Sequence, residues 1–233
     1  GVIFIKVFHK WNFKEVINGT SGFRWKKLFY SMSIWAALMA FYLSISYISN
    51  PDGFKVVFDI KNFIPLIFLS IIAIPIQAGS EEFLFRGYLA QVLGGWTKSR
   101  WVALIIPAII FGLVHSFNPE IEKFGFWVMM PNYIFLGLVF GFVSILDDGI
   151  ETAMGAHIGN NIFMCLFLTF DGSVLQTSAI FHVLHINPIV DFISTILMGI
   201  VFVIILKQKY KWNYSRINLK IEKKEVETDI DLV

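Results

Sequence analysis

Residues 80–88 read SEEFLFRGY and place two carboxylates, Glu81 and Glu82, and one guanidinium, Arg86, inside a long apolar run. Charged side chains at membrane depth cost at least about 2.5–3.5 kcal/mol each on insertion scales, so they persist where they pair, line a water-filled cavity or serve a function. This stretch therefore predicts a membrane fold and marks the first place to look for function.

The composition of the whole chain is that of a polytopic membrane protein. Of the 233 residues, 56% are hydrophobic and 25 are phenylalanine, which lies outside the range of ordinary soluble domains. The formal net charge of +2 and the lack of a basic run with interleaved aromatic residues argue against nucleic-acid binding. The single cysteine, Cys165, excludes an internal disulfide and a zinc site built from cysteines.

Six apolar segments predict an all-α fold, a polytopic transmembrane helical bundle with about six spans. A span needs about 20 apolar residues to cross a hydrocarbon core of about 30 Å. The segments are, in chain order, 28–48, 63–93, 101–116, 126–146, 152–170 and 188–206.

The spans divide the chain into three regions. Residues 1–27 are interpreted as a cytoplasmic or interfacial segment, whose apolar start is a candidate end of a preceding membrane helix. Residues 28–206 form the membrane domain, lined by the three segments that carry polar motifs. Residues 207–233 are charged and predict a disordered cytoplasmic tail.

Basic residues indicate the orientation in the membrane. With six spans, both ends lie on one side, which carries six Lys and Arg residues before residue 28, two between 95 and 100 and seven after 206, 15 in all. The opposite side carries three, Lys55, Lys61 and Lys123. Because Lys and Arg accumulate in cytoplasmic loops, both ends are predicted to be cytoplasmic.

Helix geometry separates the two glutamates of the opening stretch. Glu82 and Arg86 are four residues apart and share a helical face, which predicts an ion pair, whereas Glu81 points about 100° away. Glu81 is therefore predicted to face a cavity, where a carboxylate can act as a general base. Pro75 and Gly79 come just before the carboxylates and predict a helix break that widens this cavity.

Two further polar interruptions supply histidines. One reads FGLVH and places Phe111 and His115 on one helical face, and the other reads HIGNN and does the same for His157 and Asn161. Asn160 is predicted to point away from the second pair. Imidazole and amide donors that converge in this way can stabilise an oxyanion on a substrate carbonyl. Each pair alone is explained by helix packing, but the three interruptions together favour an active site.

As a set, the patterns E-E-x-x-x-R, F-x-x-x-H and H-x-x-x-N resemble the three motifs of the CPBP family, the CAAX-protease and bacteriocin-processing (Abi) intramembrane endopeptidases. The surrounding sequence resembles bacterial members most, and the resemblance covers roughly residues 28–206. It implies a peptidase in a bacterial plasma membrane, with a conical cavity open to the cytoplasm and the lipid. Its partners would be the lipid bilayer and a peptide or membrane-protein substrate.

The resemblance also implies roles for the motif residues. Four residues would be catalytic. Glu81 and His115 would activate a water molecule. His157 and Asn161 would form the oxyanion hole. Three further residues would support the site: Glu82, Arg86 and Phe111.

The residues leave two mechanisms open. The family is often described as a metalloprotease family, and Glu81, His115 and His157 offer the donor types that zinc takes. The chain has no H-E-x-x-H pattern, and we favour a water molecule activated directly by Glu81 and His115 over a zinc-bound one.

An alternative function is a non-proteolytic membrane protein of the same fold that acts by binding, for instance in bacteriocin immunity. A binding protein need not keep both the base and the oxyanion donors. The presence of all the motif residues therefore favours the enzyme. A transporter is less favoured, because the sequence shows no inverted repeat of the kind many transporters have.

Overall fold

A computed structural model describes residues 13–19 and 22–221, and within them the protein is a bundle of helices with one small sheet. This architecture confirms the predicted all-α membrane bundle. A π-helix, Phe83–Leu89, joins the helices Ile60–Glu82 and Ala90–Thr97, and short 3-10 turns cover Pro51–Gly53 and Tyr214–Asn218. The helices are α1 (Phe13–Ile17), α2 (Trp25–Ser49), α3 (Ile60–Glu82), α4 (Ala90–Thr97), α5 (Arg100–Val114), α6 (Pro119–Phe124), α7 (Phe126–Asp147), α8 (Glu151–Phe167) and α9 (Pro188–Tyr210).

Helices form at all six segments that were predicted to cross the membrane. In the described part of the chain, four helical stretches are long and apolar enough to cross: α2, the continuous 38-residue stretch Ile60–Thr97, α7 and α9. Helices α5 and α8 have 15 and 17 residues, fewer than the ~20 that a full crossing needs. A complete crossing by these two helices therefore stays a prediction.

The irregular backbone beside the two glutamates lies after them rather than before them. Helix α3 continues through Pro75 and Gly79 to Glu82, so the predicted break before Glu81 is wrong. A proline is tolerated inside a membrane helix where neighbouring groups satisfy the freed backbone. The π-helix follows directly at Phe83–Leu89, and π-helical turns are rare features that often occur at functional sites.

A three-stranded sheet lies at one end of the bundle. Its strands are β1 (Phe54–Val56), β2 (Leu168–Thr169) and β3 (Phe181–Val183), in the order β1-β3-β2, with β1 antiparallel and β2 parallel to β3. These strands follow α2 and α8 and precede α3 and α9, so the sheet ties four helix ends together. Segments this short carry no alternating pattern, and the sequence predicted loops at β1 and β3 and the end of a membrane span at β2.

Aromatic rings dominate the main core, which lies between α2, α7, α8 and α9. Trp35 is fully buried, and its ring meets Phe202 edge-on at a centroid distance of 5.0 Å and Phe140 at 5.6 Å. Val143 and Leu206 are fully buried in the same cluster. This packing holds the indole of Trp35 in one place.

Helices α2 and α8 approach so closely that only glycine fits at two positions of α8, Gly155 and Gly159. A Cβ atom at Gly155 would overlap the carbonyl oxygen of Leu28 and the hydroxyl of Ser31. A Cβ atom at Gly159 would lie 2.9 Å from the carbonyl oxygen of Met32. Small residues allow this kind of close backbone contact between membrane helices.

Gly155→Ala is therefore expected to destabilise the protein by about 1–3 kcal/mol, the usual cost of overpacking. The measurement is thermal or denaturant unfolding in detergent. Gly95→Ala is the matched control, because a Cβ atom there would meet no described atom within 4 Å. Equal unfolding midpoints for the two variants would contradict the close contact.

Buried charges join the start of α2 to the α7–α8 connection. Lys27 Nζ lies 2.5 Å from Asp147 Oδ1, and Arg24 Nη2 lies 2.5 Å from Glu151 Oε2, with both carboxylates fully buried. Burial alone would lower the pKa of Arg24, but the hydrogen bond to Glu151 and the neighbouring carboxylates raise it above its ordinary value. Two of the basic residues counted for orientation thus also hold the fold together.

The segment after α9 is packed against this cluster. Trp212 and Ile217 are buried, and Trp212 Nε1 donates a hydrogen bond to Asp147 Oδ1 at 3.2 Å. The predicted disorder after residue 206 is therefore wrong for residues 207–221. Residues 222–233 of the predicted tail, and 1–12 and 20–21 of the predicted N-terminal segment, lie outside the described residues.

Candidate active site

Glu82 is the hub of the buried half of the site. Its side chain is fully buried, and Oε1 accepts hydrogen bonds from Arg86 Nη1 at 2.8 Å and from His157 Nδ1 at 2.7 Å. The predicted Glu82–Arg86 ion pair is thus present. Because a carboxylate only accepts, Nδ1 of His157 carries a proton, and in the neutral form of the ring the lone pair is on Nε2.

Arg86 and Phe111 support the hub in the middle of the bundle. Arg86 Nη2 donates to the carbonyl oxygen of Gly137 at 3.1 Å, and its guanidinium lies 4.4 Å from the centroid of the Phe111 ring. The same ring contacts the rings of His115 at 4.7 Å and His157 at 5.8 Å. Phe111 therefore separates and positions the two histidines.

Glu81 faces a different environment from Glu82. Its side chain is 25% exposed, and Oε1 accepts a hydrogen bond from Gln77 Nε2. The other oxygen, Oε2, is buried, has no hydrogen-bond partner among the described residues, and lies 3.8 Å from His157 Nε2. This distance is too long for a direct hydrogen bond. Oε2 is therefore free to accept one.

His115 lies at the C-cap of α5, beside Phe111. Its Nδ1 lies 2.6 Å from the carbonyl oxygen of Phe111, and since a carbonyl only accepts, Nδ1 carries the proton and Nε2 the lone pair. The ring stacks on Tyr133 at 4.6 Å, and the Tyr133 hydroxyl accepts from Asn118 Nδ2 at 3.1 Å. Tyr133 thus packs on the ring of His115, and Asn118 fixes the hydroxyl of Tyr133.

Asn161 belongs to a run of amide contacts. Its Nδ2 donates to Gln77 Oε1 at 3.1 Å, and its Oδ1 accepts from Asn160 Nδ2 at 3.0 Å. Asn160 Oδ1 in turn accepts from Trp35 Nε1 at 3.1 Å. Asn160 was predicted to point away from His157 and Asn161. This prediction is wrong in one respect, because Asn160 Nδ2 donates to Asn161, although Oδ1 contacts Trp35 on α2.

Direct contacts connect four of the predicted site residues, Glu81, Glu82, Arg86 and His157. Asn161 is connected to Glu81 through Gln77. His115 has no hydrogen bond to these residues within the described part of the chain. It contacts Phe111, whose ring also contacts His157. Sequence reasoning missed the polar side chains that surround the motif residues. One signal was available for Gln77, which lies one helical turn before Glu81 in an apolar segment. The residues missed are Trp35, Gln77, Asn118 and Tyr133.

The arrangement does not fit a metal ion. Glu81, His115 and His157 offer donors of the kind that zinc takes. Across residues 13–19 and 22–221, however, no group of three or more His, Cys, Asp or Glu side chains is arranged to hold one.

The fold and the site define a helical integral membrane protein with an enzyme-like polar centre inside its bundle. The sequence model of the Rce1-like family, described as type II CAAX prenyl endopeptidase Rce1-like, matches residues 61–163. These residues contain all three motifs. The match confirms the predicted resemblance to the CPBP family.

Among curated proteins, an uncharacterized protein of Bacillus subtilis (strain 168), YyaK, is 32% identical over 192 residues. The aligned region is 82% of this chain and 64% of YyaK, so the chain spans a little under two thirds of that relative. No solved structure matches the chain.

Proposed function

We propose that this protein is an intramembrane endopeptidase that hydrolyses a peptide bond of a membrane-associated protein or peptide. The observation that carries the proposal is the pair formed by Glu81 Oε2 and His157 Nε2. The carboxylate oxygen is buried without a hydrogen-bond partner in the described structure, 3.8 Å from the imidazole nitrogen. In the proposed reaction, the attacking water would lie about 2.8 Å from each of these two atoms.

Glu81 is the general base of the proposed reaction. It takes a proton from the water as the water oxygen attacks the substrate carbonyl, and the proton then passes to the leaving amine. The Nε2 lone pair of His115 assists in removing or relaying that proton. Asn161 donates from its amide to the oxyanion, and His157 adds a second donor when Nε2 is protonated.

Glu82, Arg86 and Phe111 orient these groups without touching the substrate. Glu82 holds Nδ1 of His157, so Nε2 points towards Glu81. A carboxylate behind an imidazole fixes the tautomer and the ring orientation. The family description, a type II CAAX prenyl endopeptidase, supports the same reaction class, and the bacterial character of the motifs favours a peptide or membrane protein over a prenylated CAAX substrate.

We also propose that residues 28–206 form the protease domain of a plasma-membrane protein with both ends of this chain in the cytoplasm. The bias of 15 basic residues against three supports this orientation. A reporter that is active only outside the cytoplasm, fused after Val233, is expected to stay silent. A reporter inserted in the 51–59 connection is expected to be active, and the reverse result would overturn the orientation.

Hydrolysis is tested with the purified protein in liposomes and a library of membrane-associated peptides in water enriched in ¹⁸O. Mass spectrometry is expected to find cleaved peptides with one ¹⁸O atom in each new carboxylate, because the attacking oxygen comes from water. Glu81→Gln should lose this product. Absence of cleavage by the parent protein would overturn the proposal and support the binding alternative. Equal cleavage by the variant would overturn the role of Glu81 as the general base.

A further inference from the structure

We propose that Trp35, Asn160 and Gln77 are positioning residues that give a chain of hydrogen bonds a single direction, from the protein core to Glu81. The inference rests on the proposed function, because the chain passes through Asn161. Trp35 Nε1 donates to Asn160 Oδ1 at 3.1 Å, Asn160 Nδ2 to Asn161 Oδ1 at 3.0 Å and Asn161 Nδ2 to Gln77 Oε1 at 3.1 Å. Gln77 Nε2 then donates to Glu81 Oε1.

The direction of the chain follows from its two ends. A side-chain amide has a donor side and an acceptor side, and each of the three amides could in principle be turned over. The indole N–H of Trp35 can only donate, and the carboxylate of Glu81 can only accept. Turning over any one amide would set two oxygens or two N–H groups against each other. All three amides therefore have one favourable orientation.

Trp35 is suited to be the fixed end. Its ring is fully buried between Phe140 and Phe202, with both contacts tilted or edge-on. Well-packed core side chains keep one rotamer. The chain of hydrogen bonds thus connects the rigidly packed Trp35 on α2, through α8, to α3. Helix α3 contains both glutamates.

The direction of the hydrogen bonds decides whether two atoms can act in the proposed reaction, the amide nitrogen of Asn161 as a donor and Oε2 of Glu81 as an acceptor. The Asn161 amide nitrogen has two hydrogens, and since one is donated to Gln77, the other is left for the oxyanion. Gln77 donates to Oε1 of Glu81, which leaves Oε2 to accept from the water. With the opposite direction, Asn161 would present its oxygen to a developing negative charge, which is repulsive.

Asn160→Asp tests the direction through a pH profile. A protonated carboxylic acid has one acceptor and one donor and can replace the amide in the chain, whereas an ionised carboxylate has only acceptors and faces Asn161 Oδ1. The kcat of Asn160→Asp relative to the parent is therefore expected to be close to one at acid pH and to fall about 100-fold as the new carboxyl ionises, the usual loss from misplaced catalytic groups. KM should change little.

Asn160→Leu is the matched variant without either hydrogen bond. Its kcat relative to the parent is expected to be low at every pH, because no protonation state restores the chain. Trp35→Phe should lower kcat roughly tenfold or more, whereas Trp25→Phe, at a ring that is 60% exposed, should not. Unfolding midpoints of all variants separate lost positioning from lost folding.

A second readout needs no substrate. The infrared band of the Glu81 carboxylate, assigned by its loss in Glu81→Gln, is expected to shift in Gln77→Leu, because that variant removes the donor to Oε1. It should stay in place in Trp25→Phe. An unmoved band in Gln77→Leu would overturn the proposed chain, whether or not the protein cleaves peptides.

The two readouts distinguish the failures. If the parent protein cleaves no peptide while the band shifts, the hydrogen bond from Gln77 to Glu81 stands and the proposed function fails. If cleavage depends on Glu81 but Asn160→Asp follows the parent at every pH, the proposed function stands and the positioning role is overturned.

Discussion

Glu81→Gln is expected to lower the rate of peptide hydrolysis about 10²–10⁴-fold, the usual contribution of a general base. Glutamine has nearly the same shape as glutamate but offers no group that can take a proton from water. The loss should appear in kcat, with KM nearly unchanged, because the base acts in the transition state. The measurement is steady-state cleavage of a responsive peptide by protein in liposomes.

Glu122→Gln is the matched control for this prediction. Glu122 lies on α6 and is exposed, so the same chemical change there should leave the rate within about twofold of the parent, since surface substitutions away from functional groups have small effects. Both variants should fold, because Glu81 is only partly buried. A Glu81→Gln protein that cleaves at the parent rate would show that another group activates the water.

Glu82→Leu is expected to reduce the free energy of unfolding by about 3–5 kcal/mol, the cost of removing one partner from a buried ion pair. The variant leaves the buried guanidinium of Arg86 without its carboxylate and Nδ1–H of His157 without its acceptor. Activity should be lost as well, because the imidazole of His157 is no longer oriented. Unfolding in detergent, followed by circular dichroism, measures the change.

The double variant Glu82→Leu/Arg86→Met separates the two effects. It contains no unpaired buried charge, so its stability should recover much of the loss, as happens when buried ion pairs are replaced by apolar residues of similar volume. Its activity should remain absent, because His157 still lacks its acceptor. A double variant that is less stable than Glu82→Leu would contradict the view of Glu82 and Arg86 as a mutually compensating pair.

Local helix geometry explains which parts of the site could be predicted. Glu82 and Arg86 are four residues apart in one helix, so their pairing depends only on the helical repeat. The separation of Glu81 from Glu82 follows from the same repeat. The predicted helix break at Pro75 is absent, and the helix continues to Glu82. Whether a proline breaks a membrane helix depends on the groups packed around it, which the local sequence does not report.

The partners of the motif residues depended on the packing of helices. His157 and Glu82 are 75 positions apart, and Trp35 and Asn160 are 125 apart. No periodic pattern within either segment reports which of its polar groups will meet. The buried charges around Asp147 illustrate the same limit, since basic residues counted for orientation also proved to be structural partners.

The sequence alone established a helical membrane protein, the family motifs and the different directions of Glu81 and Glu82, because composition and the helical repeat are local properties. Tertiary structure decided that Glu82 orients His157, that Trp35 starts the amide chain and that Glu81 Oε2 is left without a partner among the described residues. The reason is that a hydrogen-bonding group has an available donor or acceptor only after every neighbour has been placed, and those neighbours come from different helices.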